Sequence, residues 1–141
     1  MPSRFAFTRT MNARFSDMDG MGHVNNAVFL TYFEEARMAY WMHAMGRTDL
    51  SGMDMILARA EVDFRSPLMA PQTVEVGAGC ASIGRTSFVL EQDMHEVSTG
   101  RLVAEARKVL VHYDYNTSRA VPITAEMRAM ILAQSPGAKQ G

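Results

Sequence analysis

The sequence predicts an α+β fold in which one antiparallel sheet curls around a long helix. Residues 26–45 repeat apolar side chains at helical spacing, and they do so over most of the helix surface. A helix of that kind is buried on most sides. Four runs of alternating apolar and polar residues follow it, separated by short turns, as is typical of antiparallel strands. A sheet wrapped around the helix satisfies both patterns.

The elements at the N-terminal end follow from local signals. Residues 5–15 alternate loosely and predict a first strand, whereas residues 16–26 are rich in Asp, Gly and Asn and predict a loop. Asn25 and Asn26 can each cap the helix, because an Asn side chain accepts a hydrogen bond from an unpaired N–H of the first turn. Gly46 predicts the end of the helix.

The second half of the chain is predicted to supply the sheet and a short helix. Pro67 and Pro71 bracket a connection rather than the interior of a strand. Residues 125–133 form a second helix with Thr124 as its cap, and residues 135–141 are expected to fray. The predicted strands are 54–66, 72–83, 86–95 and 101–115.

Composition limits the class of protein. The length of 141 residues suits one domain, residues 1–141, and 48% hydrophobic with 21% charged residues is usual for a globular chain. The single cysteine, Cys80, excludes an internal disulfide, and its strand position predicts a small core residue. A net charge of -1 argues against nucleic acid as a partner. No leader or membrane-spanning pattern is visible, so we expect a cytoplasmic protein.

An open sheet also predicts self-association. Its edge strands carry unpaired N–H and C=O groups, which invite pairing with a second copy. We therefore expect a homo-oligomer, either a homodimer or a homotetramer.

Residues 13–37 read ARFSDMDGMGHVNNAVFLTYFEEAR. This segment resembles the signature of the 4-hydroxybenzoyl-CoA thioesterase family, in particular its bacterial acyl-CoA thioesterase branch. The similarity continues in order through ARAEVDFRSPL, IGRTSF and LVAEARKVLV, at residues 58–68, 83–88 and 102–111. The resemblance implies the hot-dog fold, hydrolysis of an acyl-CoA to a free acid and CoA, and a site between subunits. CoA is then part of the substrate, and no separate cofactor is expected.

The resemblance also implies catalytic residues. The acidic catalytic residue of the family falls on Asp19, while Asp17 competes for that role and can instead order the loop. His23 matches a histidine of the plant acyl-carrier-protein thioesterases, which share the Asp-to-His spacing but have an asparagine where this chain has Met21. The 4-hydroxybenzoyl-CoA enzyme itself lacks this histidine. The role of His23 therefore stays open between assisting the chemistry and tying the loop to the helix.

Thioester hydrolysis requires a base or nucleophile and a hydrogen-bond donor for the oxyanion. A carboxylate serves in either of the first two roles, and a helix N-terminus offers unpaired N–H groups. We predict that Asp19 is the base or nucleophile, that the Asn26 backbone N–H polarises the carbonyl, and that Asn25 lies in the substrate site. Glu34 or Glu35 on the helix is the alternative base.

The phosphates of CoA require cationic partners. Arg85, Thr86 and Ser87 fall where the family places CoA contacts, although some relatives have a lysine in place of Thr86. Glu34 and Arg37 are spaced to pair on the helix. Further candidate cations, each with a plain surface charge as the alternative, are Arg59, Arg65, Arg107 and Lys108.

Other chemistries lack their sequence motifs. There is no G-x-S-x-G elbow or P-loop, no zinc spacing is recognisable, and His43, His95 and His112 are assigned to structure, so no metal is predicted. A hot-dog hydratase or dehydratase would place His five residues after Asp in an Asp-x-Asn-Pro-x-His motif; here the spacing is four and Asn-Pro is absent. A non-catalytic acyl-CoA-binding module is the other alternative. The acyl group itself is not predicted.

Overall fold

The structure is a computed structural model that describes residues 3–49 and 53–141. Five long strands form one antiparallel sheet in the order β1-β3-β4-β5-β2, and the short strands β6 and β7 pair with β5 and β3. The predicted α+β hot-dog fold, with the sheet against a long helix, is confirmed. The elements in chain order are β1 Phe7–Asn12, α1 Asn26–Met45, β2 Met55–Phe64, β3 Thr73–Ile83, β4 Ser87–Glu96, β5 Leu102–Asp114, β6 Arg119–Ala120, α2 Ala125–Gln134 and β7 Lys139–Gln140.

Both ends of α1 are set by the predicted capping residues. The Asn25 side chain accepts a hydrogen bond from the Ala27 N–H at 2.8 Å. Gly46 ends the helix in the left-handed conformation, with φ of 65°, and its N–H donates to the carbonyls of Met42 and His43. Half of the helix residues are buried: Phe29, Tyr32, Phe33, Ala36, Arg37, Ala39, Tyr40, Trp41, Ala44 and Met45.

β2 does not lie next to β3, the strand that follows it in the chain. β3, β4 and β5 are consecutive neighbours, but β2 pairs with β5 and lies at the edge of the sheet. The 65–72 connection therefore carries the chain from one side of the sheet to the other instead of forming a hairpin. As an edge strand, β2 leaves two large apolar side chains partly exposed, since Leu57 is 43% and Phe64 44% exposed.

The C-terminal residues pair with the sheet, whereas the sequence predicted fraying. Lys139 and Gln140 form β7 against Ser82 and Ile83 of β3. Just before β7, the Ser135 hydroxyl lies 3.1 Å from the Tyr40 hydroxyl and accepts a hydrogen bond from the Cys80 N–H. These contacts hold the end of the chain against the sheet.

Two apolar clusters divide α1 along its length. The cluster around the N-terminal half includes Phe29, Phe33, Leu68, Val74 and Met94. The cluster around the C-terminal half includes Tyr40, Trp41, Cys80, Phe88 and Ile131, and there burial raises the pKa of the Cys80 thiol to about 11. Cys80 is thus the core residue that the sequence predicted. The two clusters therefore mark the two ends of α1, and the position of each candidate site residue can be given relative to them.

Candidate active site

A small hairpin precedes α1 and carries the predicted catalytic residues. Met18 and Val24 form its bridge, the Asp19 N–H donates to the His23 carbonyl at 2.8 Å, and the Gly22 N–H donates to the Asp19 carbonyl at 3.1 Å. Gly22 has φ of 80°, a conformation that favours glycine. The Val24 N–H donates to the Leu68 carbonyl, so the base of the hairpin is fixed to the β2–β3 connection.

Asp19 and His23 lie opposite each other at the exposed tip of this hairpin. The Asp19 carboxylate accepts a hydrogen bond from the Met21 N–H at 2.9 Å, which closes a local turn. Within the described residues, no hydrogen bond joins the Asp19 and His23 side chains. The structure therefore brings the two predicted residues together and leaves both side chains accessible from solvent.

Asp17 has a different environment. It is buried, and its carboxylate accepts hydrogen bonds from the Tyr32 hydroxyl at 2.5 Å and from the Arg14 N–H at 3.2 Å. Burial alone would raise the pKa of Asp17, but the hydrogen bonds from Tyr32 and Arg14 hold it below its ordinary value. The Asp17 carbonyl also accepts from the Asn25 N–H at 3.1 Å. Asp17 thus has the geometry of the loop-ordering alternative.

The start of α1 offers a hydrogen-bond donor beside the hairpin. The Asn25 side-chain oxygen is occupied by the Ala27 N–H. In the described part of the chain, the Asn26 N–H has no acceptor. It is one of the N–H groups that every helix leaves unpaired in its first turn. A carbonyl oxygen placed here would meet a free donor and the positive end of the helix dipole.

The three residues predicted for CoA lie around the β3–β4 turn. Their backbone carbonyls are held in place: that of Arg85 by the Ile123 N–H, that of Thr86 by the His112 N–H, and that of Ser87 by the Gly84 N–H. The Arg85 side chain is exposed. A hydrogen-bonded backbone turn that carries an exposed guanidinium suits the recognition of phosphate.

Within one protomer, this turn and the Asp19 hairpin lie at opposite ends of α1. The hairpin adjoins the N-terminal cluster through Val24, whereas Ile83 and Phe88, which flank the turn, pack with Trp41 and Met45. A helix of 20 residues spans about 30 Å. A single protomer therefore does not bring the two predicted halves of the site together.

Comparison with known proteins identifies the family. The family model described as "Thioesterase-like superfamily" matches residues 13–131. The chain belongs to the thioesterase-like superfamily. A Thermus thermophilus thioesterase, solved with coenzyme A and Zn, is 33% identical, with 94% of this chain and 96% of that chain covered and a TM-score of 0.84. A predicted thioesterase from Bacillus stearothermophilus is 29% identical, with 92% and 96% covered and a TM-score of 0.84.

A curated relative adds a named activity to this similarity. The long-chain acyl-CoA thioesterase FadM of Escherichia coli is 24% identical over 119 residues, which cover 79% of this chain and 86% of FadM. In residues 3–49 and 53–141, no helix is long and apolar enough to cross a membrane. The same residues contain no group of three or more His, Cys, Asp or Glu side chains placed to hold a metal.

The other residues named from the sequence lie outside the hairpin and the β3–β4 turn. Glu34 and Arg37 form the predicted pair at 3.2 Å. Glu35 is exposed and lies 3.8 Å from Arg9. His112 bridges the Asp54 carboxylate and the Pro122 carbonyl. His43 packs against the Phe7 ring at 5.3 Å, and His95 is partly buried on β4.

Lys108 is buried, unlike the other three further candidate cations. The other three are exposed and paired with carboxylates, as the surface-charge alternative predicts: Arg59 with Glu61, Arg65 with Glu105, and Arg107 with Glu91. Lys108 is instead 2% exposed, and its Nζ lies 5.0 Å from the Phe33 ring centroid. The alternation of β5 carried the signal, because Lys108 shares the buried face with Ala104, Ala106 and Leu110.

Proposed function

We propose that this protein is an acyl-CoA thioesterase that hydrolyses an acyl-CoA to a free acid and CoA. One observation carries the proposal: an accessible carboxylate, Asp19, lies on the hairpin that leads into α1, and the Asn26 N–H at the start of that helix has no acceptor among the described residues. The superfamily match supports the reaction class, and the CoA bound to the Thermus thermophilus thioesterase supports CoA as the thiol. The name of FadM supports an acyl-CoA substrate.

The geometry supports hydrolysis by two related routes. In the first, Asp19 removes a proton from water while the water oxygen attacks the thioester carbon. In the second, the Asp19 carboxylate attacks that carbon, and water then hydrolyses the resulting anhydride. In both, the Asn26 N–H stabilises the oxyanion, the C–S bond breaks, and the CoA thiolate takes up a proton. His23 lies across the hairpin and is placed to supply it.

We further propose that two copies complete each site by pairing their β2 edges. The Phe64 end of β2 lies near the hairpin end of the molecule, and its Met55 end pairs with His112, which is hydrogen-bonded to Thr86. A two-fold axis through an antiparallel β2–β2 contact sets the Phe64 end of one copy beside the Met55 end of the other. The hairpin of one copy then faces the Arg85 turn of the second, which binds the CoA phosphates.

The decisive measurement is release of free CoA from acyl-CoAs of short, medium, long and aromatic type. Asp19→Asn should lower kcat by about 10²-fold to 10⁴-fold, because asparagine neither accepts a proton nor attacks carbon. Asp114→Asn is a matched control, since Asp114 accepts a hydrogen bond from the Asn116 N–H in the same type of turn. A folded Asp19→Asn protein with full activity would refute the assignment.

A second variant tests the CoA contact. Arg85→Ala should raise KM more than it lowers kcat, because a phosphate contact is made equally in the ground state and the transition state. An effect on kcat alone would contradict a binding role. Calorimetric binding of acyl-CoA without hydrolysis of any substrate would favour the non-catalytic binding module instead.

A further inference from the structure

A cavity of about 190 Å³ opens on the exposed side of α1, where the helix meets the edge strand β2. Part of its wall is apolar, from Leu30 and Leu57, which are 44% and 43% exposed. The rest of its wall is formed by Ala60, Thr31 and three charged residues, Glu34, Arg37 and Lys108. The cavity is separate from the Asp19 hairpin but lies along the same helix.

Both cations of this cavity are buried without full pairing. Arg37 is 6% and Lys108 2% exposed. Arg37 has one ion pair, to Glu34 at 3.2 Å, and its buried Nε has no hydrogen-bond partner among the described residues. Across the same residues Lys108 makes no hydrogen bond or ion pair, and its Nζ lies over the Phe33 ring. Buried charges are ordinarily paired, and among the described residues only the Glu34 carboxylate pairs with either of these cations.

The charges of the cavity do not balance. Two cations face one carboxylate, and that carboxylate is 59% exposed and therefore partly screened by water. Burial and the neighbouring Arg37 charge lower the pKa of Lys108 to about 7, while Glu34 opposes the shift. An anion that entered the cavity would pair with Lys108 and favour its charged form.

We infer that this cavity binds a carboxylate at the far end of the acyl group, so that the enzyme prefers thioesters of dicarboxylic acids. The inference rests on the proposed function. From Asn26 to Glu34 the axis of α1 advances about 12 Å. An acyl group whose carbonyl lies at the Asn26 N–H therefore reaches the cavity along the helix. Leu30 and Leu57 contact its methylene groups, and Lys108 and Thr31 donate to its carboxylate.

The test compares pairs of acyl-CoAs of equal chain length that end in either a carboxylate or a methyl group. The wild-type protein should show the higher kcat/KM for the carboxylate-ended member at its best length. Lys108→Met keeps the length of the side chain without its charge and should reduce this preference at least about tenfold. Lys139→Met, the same substitution at an exposed position of β7, should leave the preference unchanged.

Glu34→Gln should change the preference for carboxylate-ended substrates in the opposite direction to Lys108→Met. It removes the competing carboxylate from an exposed side chain and should raise the preference for carboxylate-ended substrates. If Lys108→Met does not fold, Glu34→Gln decides the question, and an unchanged preference overturns the inference. Equal kcat/KM for the two substrate classes in the wild type, or an equal loss for both in Lys108→Met, also overturns it.

Binding of free acids separates this inference from the proposed function. If no acyl-CoA is hydrolysed, the proposed function fails, and calorimetry with free dicarboxylic and monocarboxylic acids of equal length tests the cavity alone. Tighter binding of the dicarboxylic acid that Lys108→Met abolishes supports the cavity, and equal binding overturns it. A fall in oligomeric mass in Lys108→Met would show that Lys108 serves a contact between copies and would also overturn it.

Discussion

At the scale of single residues, two aspartates that are two positions apart have opposite environments. Asp17 is buried under the hydroxyl of Tyr32, whereas Asp19 is exposed at the tip of the hairpin. Both were candidates from the sequence, and only the family resemblance favoured Asp19. The distinction depends on Tyr32, which comes from the second turn of α1, so no local pattern around the aspartates reveals it.

The Asp17–Tyr32 contact predicts a loss of stability in Tyr32→Phe. The substitution removes a donor from a buried carboxylate and should lower the free energy of unfolding by about 1–3 kcal/mol. Urea denaturation measures the change. Tyr115→Phe is the control, because the Tyr115 side chain is exposed and its hydroxyl has no partner in the described part of the chain. Equal stability of the two variants would contradict a structural role for Asp17.

Glu96 predicts a pH dependence of stability. Its carboxylate accepts hydrogen bonds from the N–H and hydroxyl groups of Ser98 and Thr99 in the β4–β5 turn, and these bonds lower its pKa to about 2 from 4.5. A lowered pKa in the folded state stabilises the protein above the unfolded-state pKa, and this contribution disappears as the pH falls from about 4.5 towards 2.

The expected result is therefore a pH-dependent difference between wild type and Glu96→Gln. The wild type should be the more stable at pH near 7, and the difference should shrink once the pH falls below about 4.5. Urea denaturation over that range measures it, with Glu126→Gln, at an exposed glutamate of α2, as the control. A difference that stays constant down to a pH of about 3 would rule out Glu96 as the titrating group.

At the scale of elements, the sequence predicts best what is decided locally. The start of α1 was predicted from Asn25 and Asn26, of which Asn25 is the cap, its end from Gly46, and the start of α2 from Thr124, because a cap acts on its own helix turn. The pairing of β2 with β5 was not predicted, since the alternation of a strand shows which of its side chains share a face but not which strand lies beside it. The pairing of β7 likewise depends on a distant contact, between Ser135 and Tyr40.

One such distant contact is tested by Gly77→Ala in β3. A Cβ at this position would overlap the Ser3 hydroxyl and lie 2.6 Å from the Asp93 carboxylate. The substitution should therefore displace the segment before β1, where Ser3 donates to Asp93, and expose the backbone there. Hydrogen exchange of residues 3–6 measures this, with Gly137→Ala, which meets nothing within 4 Å, as the control. Unchanged protection would mean that the segment adapts to the methyl group.

At the scale of the whole molecule, the candidate site is divided. Asp19 and Arg85 were both predicted from the family resemblance, but no sequence pattern shows that they lie at opposite ends of α1. In the proposed dimer, the Asp19 of one copy and the Arg85 of the other belong to the same site. The sequence predicts a second copy only from the unpaired backbone groups at the edge of the sheet. The burial of Lys108 follows from the alternation of β5, in which it shares a face with apolar residues. A lysine is ordinarily expected at the surface, and that expectation conflicts with the alternation.

The proposed β2 contact links assembly to activity, and Phe64→Lys tests this link. Phe64 is 44% exposed at the end of the edge strand, and a lysine at an edge opposes strand pairing by charge and solvation. The variant should sediment as a monomer and lose acyl-CoA hydrolysis together, because each site requires the Arg85 turn of a second copy. Val97→Lys, at a 52% exposed apolar residue in the β4–β5 turn, should keep both mass and activity. A monomeric Phe64→Lys protein with full activity would show that one protomer suffices and would refute the shared site, whatever the assembly of the wild type.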